Sequence, residues 1–211
     1  MGIVLRQIDY TNDMNSEIEA KFVNVDHDDV RMKLKLAGAT CIHPMRLMRR
    51  SVFHNDLMVS KNAYTRVRDE GDKVTITYKQ FDDAGSIHGV REIETTVGDF
   101  EIAVAILEQA GLSKDTYQET KRETWMLDDV EIVLDQWPWV DSYIEIEGPS
   151  EEHVKSVAGV LGFKWSDAIF GGVASVYVLK YPSMGDQAAE IINRKTPVIR
   201  FEDPVPKQFK E

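Results

Sequence analysis

The sequence predicts an α+β fold in which about eight strands form a largely antiparallel sheet and three or four helices pack against it. Short segments with alternating polar and apolar residues recur along the 211 residues. Most of these segments are separated by turns that are too short for a parallel crossover, so their strands should be antiparallel. A few longer segments instead repeat apolar residues at helical spacing.

Composition limits the classes of function that the chain can serve. Of its residues 43% are apolar and 29% are charged, which is the balance of a folded globular protein. No apolar run approaches the roughly twenty residues that span a bilayer, and the first residues lack the pattern of a signal peptide. Because Cys41 is the one cysteine, no internal disulfide can form. We therefore expect a cytoplasmic protein that does not bind membranes.

The net charge of −11 argues against a broad basic surface of the kind that binds nucleic acid or anionic lipid. A small polyanion needs only a local cluster of cationic side chains, so it remains compatible with this charge. The surplus carboxylates can act as metal ligands. The expected partner is a small molecule and not a nucleic acid, and the sequence leaves a homodimer open.

The first half of the chain combines strands with two helices. Asp26 is the predicted N-cap of a helix that carries Asp28 and Asp29 in its first turn and ends at Gly38. A second helix is predicted over 99–109. Extended segments are predicted over 16–24, 40–53, 63–68, 73–80 and 90–97, with a loop over 57–62.

The second half repeats this plan of charged strands followed by helices. A helix is predicted to begin at Ser150, and a shorter one covers 187–194. The segment 173–181 is predicted as a last strand that carries Lys180, and the prolines after Thr196 indicate an irregular tail. Further extended segments are predicted over 116–126, 130–137 and 143–147.

Charged residues at alternate positions share one face of several strands. Glu17, Glu19 and Lys21 lie on the same face of the first strand, because successive side chains of a strand point to opposite sides. Facing outward, such residues would be ordinary solvated surface. If the sheet curls closed with these faces inward, they line a tunnel; buried charges are costly unless paired or ligated, so the tunnel would hold a metal and a polyanion. The other charged pairs are Arg66 and Arg68, Glu92 and Glu94, and Glu145 and Glu147.

Taken in order, these segments resemble the CYTH, or triphosphate tunnel metalloenzyme, superfamily. That superfamily includes class IV adenylyl cyclases, thiamine triphosphatases and inorganic triphosphatases. Its E-x-E-x-K signature resembles Glu17-Ile18-Glu19-Ala20-Lys21, and the resemblance covers roughly residues 16–181. The other matching segments are Arg66-Val67-Arg68, Thr77-Tyr78-Lys79, Arg91-Glu92-Ile93-Glu94, Lys121-Arg122, Leu134-Asp135 and Glu145-Ile146-Glu147-Gly148.

The resemblance implies an eight-stranded antiparallel β-barrel that is open at both ends and has helices packed on its outside. The tunnel domain would cover 16–195, with an N-terminal extension over 1–15 and a C-terminal tail over 196–211. Its implied cofactor is Mg²⁺ or Mn²⁺. The implied metal ligands are Glu17, Glu19, Asp135, Glu145 and Glu147, and the implied catalytic residues are Glu17, Glu19, Lys21 and Asp135. The implied triphosphate-binding residues are Lys21, Arg66, Arg68, Lys79, Arg122 and Lys180.

These residue types agree with phosphate chemistry. Carboxylate oxygens suit hard cations such as Mg²⁺, and arginine and lysine bind phosphate oxygens. Hydrolysis of a terminal phosphate and attack of the ribose 3′-hydroxyl of ATP on its α-phosphorus need the same clamp. The leading expectation is a metal-dependent triphosphatase that acts on inorganic triphosphate, a nucleoside triphosphate or thiamine triphosphate. The alternatives are a class IV-type adenylyl cyclase and a non-catalytic polyphosphate or nucleotide binder.

Two further groups of residues keep two interpretations each. Trp137 and Trp139 either stack on an organic ring at one mouth of the tunnel or pack in the core. Arg46, Arg49 and Arg50 either extend the cationic lining or lie on the surface of their strand.

Overall fold

The structure is a computed structural model that describes residues 15–83 and 86–209. The extension expected over 1–15 therefore lies outside the described residues except for its last one. The strands are β1 (Asn15–Glu17), β2 (Glu19–Val23), β3 (Thr40–His54), β4 (Ala63–Asp69), β5 (Val74–Phe81), β6 (Val90–Val97), β7 (Ser113–Leu127), β8 (Val130–Gln136), β9 (Tyr143–Glu147) and β10 (Val198–Ile199).

The sheet closes into a barrel because its two edge strands belong to one segment of the chain. Its strand order is β1-β6-β5-β4-β3-β7-β8-β9-β2, and only Ile18 separates β1 from β2. Glu17 pairs with Val90 of β6, whereas Glu19 pairs with Glu147 of β9. Counted around the barrel, β1 and β2 form one strand, so eight strands result and all neighbours are antiparallel. The α+β class and the eight-stranded antiparallel barrel are confirmed.

Within the described residues the α-helices are α1 (His27–Leu36), α2 (Asp56–Ser60), α3 (Phe100–Gln109), α4 (Glu151–Val160), α5 (Ala174–Lys180) and α6 (Ala188–Glu190). The predicted N-cap of α1 is confirmed, since the Asp26 side chain accepts a hydrogen bond from the Asp28 amide at 2.8 Å. Ser150 caps α4 in the same way. No helix among the described residues is long and apolar enough to cross a membrane.

Strand β9 shows how one face of a barrel strand packs on helices while its charged face points inward. On β9, Ile144 and Ile146 are fully buried on the outside and pack in a cluster with Leu34 of α1 and Val154 of α4. The alternate residues of β9 point into the barrel. Because helices cover the apolar face, the charged face has no route to bulk solvent except through the interior.

Two predicted elements differ from the structure. Part of the loop expected at 57–62 is the short helix α2, and the strand expected at 173–181 is the helix α5. The many β-branched residues of 173–181 favour a strand. Tertiary packing overrides that preference, because Val176 and Tyr177 lie in the core and the Tyr177 hydroxyl donates a hydrogen bond to the Pro138 carbonyl at 2.8 Å.

The tail after 195 is only partly irregular. Val198 and Ile199 form β10, which pairs in parallel with Tyr117 and Gln118 of β7. Near the end of the described chain, Phe209 is 1% exposed and lies in the same core as α5. The C-terminal residues are therefore packed against the barrel domain.

Candidate active site

The barrel encloses a cavity with a volume of about 580 Å³, to which every strand from β1 to β9 contributes side chains. This volume is typical of a site for a small molecule. Most of the site residues predicted from the sequence line it. They are Glu17, Glu19, Lys21, Arg66, Arg68, Lys79, Arg122, Glu145 and Glu147.

Lys21 joins two carboxylates from neighbouring strands. Its ammonium nitrogen lies 2.6 Å from Glu19 Oε1 and 3.3 Å from Glu145 Oε1, and the side chain is 1% exposed. The contact with Glu145 follows from the register, which places Lys21 of β2 opposite Glu145 of β9. Burial lowers the pKa of Lys21, but Glu145 and Glu19 outweigh it and the pKa is raised. Lys21 therefore stays charged in the interior.

Lys79 of β5 makes a similar bridge between Glu17 of β1 and Glu92 of β6. Its Nζ lies 2.7 Å from Glu17 Oε2 and 3.5 Å from Glu92 Oε2. Burial lowers the pKa of Lys79, but the combined effect of Glu17, Tyr64 and Glu19 outweighs burial and raises the pKa, so Lys79 is also protonated. The two lysines thus hold the N-terminal carboxylates Glu17 and Glu19 inside the barrel.

The arginines of β4 form a cationic surface that is less fully neutralised. Arg68 donates from Nε to Glu70 Oε1 at 2.9 Å, while Arg66 reaches Glu94 Oε2 only at 3.5 Å. Burial, together with the charges of Arg66 and Arg122, lowers the pKa of Arg68 to about 10. Arg68 remains protonated at neutral pH, so these cations repel one another until an anion enters.

The carboxylates of β1, β2 and β9 fit a divalent cation. Burial, Glu17 and Glu19 raise the pKa of Glu147 to about 8, and Glu147 has no ion-pair partner among the described residues. Glu131 of β8 stands opposite it and adds further repulsion. A set of crowded carboxylate oxygens is the donor set that Mg²⁺ or Mn²⁺ prefers.

These carboxylates are not yet arranged as a ligand shell. Within residues 15–83 and 86–209, no three carboxylate, imidazole or thiol groups stand at the spacing that holds a metal ion. Glu19 and Glu145 instead form ion pairs with Lys21. Binding of a cation would therefore exchange lysine contacts for metal contacts at Glu19 and Glu145.

Asp135 forms an ion pair with Arg122 in the structure. Its side chain is fully buried and does not line the cavity. It lies opposite Arg122 in the register of β7 and β8 and accepts two hydrogen bonds from that guanidinium, one of them at 2.7 Å from Nε. Arg122 also reaches Glu145 Oε2 at 2.8 Å. In this arrangement Asp135 orients Arg122, and its role as a metal ligand stays a prediction.

Lys180 also differs from its predicted place. It lies at the end of α5 on the surface, where its Nζ is 2.7 Å from Asp141 Oδ2, and it does not line the cavity. The cause is the change of element: as a helix, the segment turns Lys180 away from the barrel. Its role in substrate binding stays a prediction.

The structure separates the three arginines of β3. Arg49 points outward, pairs with Asp69 and Glu101, and lies 4.5 Å from the ring centroid of Phe100. Arg46 and Arg50 line the cavity. Arg50 was not assigned to the site from the sequence, although the alternation of β3 could have placed it on the inner face.

Aromatic rings and residues of the C-terminal region also line the cavity. Tyr64 and Phe81 lie there with ring centroids 5.9 Å apart, and Trp137 also faces the cavity. Trp139 instead packs on Phe209, with ring centroids 5.4 Å apart. The C-terminal residues that line the cavity are Gly171, Gly172, Val173, Ala174, Ser175, Ala189, Glu190, Asn193 and Arg194.

Several solved structures share this fold. The PH1012 protein from Pyrococcus horikoshii OT3 is 24% identical with a TM-score of 0.62, over 72% of this chain and 93% of its own. A candidate adenylate cyclase from Vibrio parahaemolyticus is 12% identical with a TM-score of 0.64, over 75% and 95%. HpAC1 from Hippeastrum, a candidate adenylyl cyclase with a dominant triphosphatase activity, is 17% identical with a TM-score of 0.54, over 79% and 96%.

The family is shown by the sequence itself. No curated protein sequence is significantly similar to the chain. The family model of the CYTH domain matches residues 15–161, which is more than half of the chain. The matched region contains the whole closed barrel from β1 to β9. This chain belongs to the CYTH domain family.

Proposed function

We propose that the protein is a metal-dependent hydrolase of triphosphates that acts inside the barrel. The observation that carries the proposal is the juxtaposition of two opposite charge clusters in one enclosed cavity, Arg66 and Arg68 with Glu17 and Glu147. Neither cluster is fully neutralised by its ion pairs, since the charges of Arg66 and Arg122 still lower the pKa of Arg68, and Glu17 and Glu19 still raise the pKa of Glu147. A polyanion with a divalent cation satisfies both. Membership of the CYTH family supports this substrate class.

Four carboxylates would hold the metal, namely Glu17, Glu19, Glu145 and Glu147. A divalent cation held there supplies positive charge to the phosphate oxygens and polarises the phosphorus. Of the four, Glu145 is the one whose pKa is lowered. The charges of Lys21 and Arg122 outweigh the effect of burial and lower that pKa to about 2. Glu145 is therefore ionised over the whole physiological range.

The cationic side chains would bind and orient the phosphate chain. Arg66, Arg68 and Arg122 offer planar forks that meet phosphate oxygens in pairs, and Lys21 and Lys79 add point charges. Phosphoryl transfer depends mainly on positioning and on neutralising charge, without a protein nucleophile. The enclosed cavity strengthens both effects because it excludes bulk water.

A second candidate is an adenylyl cyclase. The aromatic rings of Tyr64 and Phe81 line the same cavity as the cations, and aromatic side chains stack on nucleobases. In this reaction the 3′-hydroxyl of ATP would attack the α-phosphorus, giving cyclic AMP and releasing pyrophosphate. The binding groups for the phosphates would be the same.

Product analysis separates these activities. Purified protein is incubated with tripolyphosphate, ATP or thiamine triphosphate in the presence of Mg²⁺ or Mn²⁺, and the products are resolved. Orthophosphate supports the hydrolase, and cyclic AMP with pyrophosphate supports the cyclase. Binding without any turnover would overturn both and leave a polyphosphate or nucleotide binder.

A matched pair of variants tests the metal site. Glu17→Gln should abolish metal-dependent turnover while the far-ultraviolet circular dichroism stays unchanged, because the amide is similar in shape but lacks the charge. Glu101→Gln is the control, since Glu101 lies on the outside and pairs with Arg49. Full activity of Glu17→Gln would contradict the metal assignment.

A further inference from the structure

Arg50 is a buried cation without a carboxylate partner. It is 7% exposed and lines the cavity. Among the residues that the structure describes, no Asp or Glu oxygen lies within 4.0 Å of its guanidinium. The other cations assigned to the site, Lys21, Arg66, Arg68, Lys79 and Arg122, each have at least one such partner.

Two neutral groups hold the Arg50 guanidinium in place. Its Nε donates a hydrogen bond to Gln118 Oε1 at 2.6 Å, and Gln118 Nε2 in turn donates to the Ile192 carbonyl at 2.9 Å. On one face, the guanidinium carbon lies 4.3 Å from the ring centroid of Trp137. These contacts orient the plane of the guanidinium without neutralising it. Its two terminal nitrogens make no hydrogen bond to any described residue.

The position of Arg50 is electrostatically unfavourable in the absence of an anion. The register of β3 and β4 places it directly opposite Arg68. Burial, together with the charges of Arg66 and Arg68, lowers the pKa of Arg50 to about 10, so it is still protonated at neutral pH. A buried charge that is neither paired nor ligated destabilises the folded state. A side chain that only filled space or held β3 to β7 would not need this charge.

We propose that Arg50 is a further substrate-binding residue, which contacts phosphoryl oxygens through its two terminal nitrogens and is positioned for this by Gln118 and Trp137. The ligand class is the phosphate chain of a polyphosphate, inorganic or esterified, and the inference therefore rests on the proposed function. A planar guanidinium with its Nε already engaged offers two parallel N–H groups to two oxygens of one phosphoryl group.

The test compares neighbouring positions of β3. Binding of tripolyphosphate is measured by calorimetry in EDTA, so that no metal contributes, for the wild type, Arg50→Gln and Arg49→Gln. Hydrogen bonds to charged groups of this kind make Arg50→Gln bind roughly 10- to 100-fold more weakly. Arg49→Gln is the control and should change the Kd by less than about twofold, because its ion pairs are on the outer surface.

Thermal unfolding separates a binding role from a structural one. Without ligand, Arg50→Gln should melt no lower than the wild type, because the glutamine can still bond Gln118 while the repulsion with Arg68 is gone. If Arg50→Gln both melts lower and binds more weakly, Arg50→Lys decides, because it keeps the charge but loses the second terminal nitrogen. Weak binding by Arg50→Lys at the melting temperature of the wild type supports the proposal, and binding equal to the wild type overturns it. A weaker Kd with an unchanged melting temperature supports the proposal, and a wild-type Kd overturns it.

The outcomes also distinguish this inference from the proposed function. If the wild type binds tripolyphosphate and Arg50→Gln binds it equally well, only the role of Arg50 is overturned. If the wild type binds tripolyphosphate neither in EDTA nor with added Mg²⁺ or Mn²⁺, the proposed function fails and the role of Arg50 fails with it.

Discussion

Arg122 and Asp135 face each other across β7 and β8 and form a two-pronged ion pair in which the carboxylate is completely buried. Only the arginine reaches the cavity. Arg122 therefore presents its guanidinium to the cavity, and Asp135 fixes the orientation of that guanidinium.

Asp135→Asn is expected to weaken tripolyphosphate binding about tenfold, because Arg122 loses its charged acceptor and keeps only the contact with Glu145. Affinity for Mn²⁺ should change by less than about twofold, since Asp135 does not face the cavity. Both affinities are measured by calorimetry. A selective loss of Mn²⁺ affinity would instead identify Asp135 as a ligand.

Lys180→Ala is expected to leave tripolyphosphate binding and turnover within about twofold of the wild type, because an exposed ion pair contributes little. Its partner Asp141 is also on the surface. Steady-state kinetics at saturating Mn²⁺ measures the effect. A large rise in KM would support a role of Lys180 in substrate binding.

Glu147 should make the stability of the metal-free protein depend on pH. The pKa of folded Glu147 is raised to about 8, whereas the unfolded residue releases its proton near the ordinary glutamate pKa of 4.5. Between these values the folded state binds more protons, so the free energy of unfolding falls as the pH rises from about 4.5 through about 8. Urea unfolding in EDTA should show a smaller fall for Glu147→Gln. An identical pH profile for the variant would contradict this.

Lys21→Met is expected to lower the free energy of unfolding in EDTA by about 3 to 5 kcal/mol, because it leaves the buried Glu19 without its cation and Glu145 with Arg122 alone. Added Mn²⁺ should restore part of that loss, since a ligand that binds only the folded state stabilises it. Urea unfolding with and without Mn²⁺ measures both effects. Unchanged stability in EDTA would show that Lys21 does not neutralise Glu19 and Glu145.

Phe209→Ala is expected to destabilise the protein by about 3 to 5 kcal/mol, as large-to-small changes in a core do. Phe209 is 1% exposed and packs edge-on against Tyr177 and Tyr181, with ring centroids 5.9 and 5.5 Å apart. Thermal and urea unfolding measure the change. The exposed Leu179 of α5 offers a control, and Leu179→Ala should have little effect.

The alternation of charged and apolar residues along the strands predicted most of the charged residues that line the cavity. It placed Glu17, Glu19 and Lys21 on one face, and the structure brings all three into the cavity. The alternation depends only on the period of a strand, which is local. The local composition of 173–181 favoured a strand, but this segment packs into the core as a helix. The error in this element also misplaced Lys180.

By itself, the sequence determined which residues alternate along each strand and hence that two kinds of charge would share a face. It did not determine which side chains contact each other, because that depends on strands far apart in the chain. Closure through Ile18 brings Glu19 to Glu147, and the neighbouring register of β7 and β8 puts Asp135 behind Arg122. Only the tertiary structure decided these contacts, since the free energy of a buried charge depends on its actual neighbours in space.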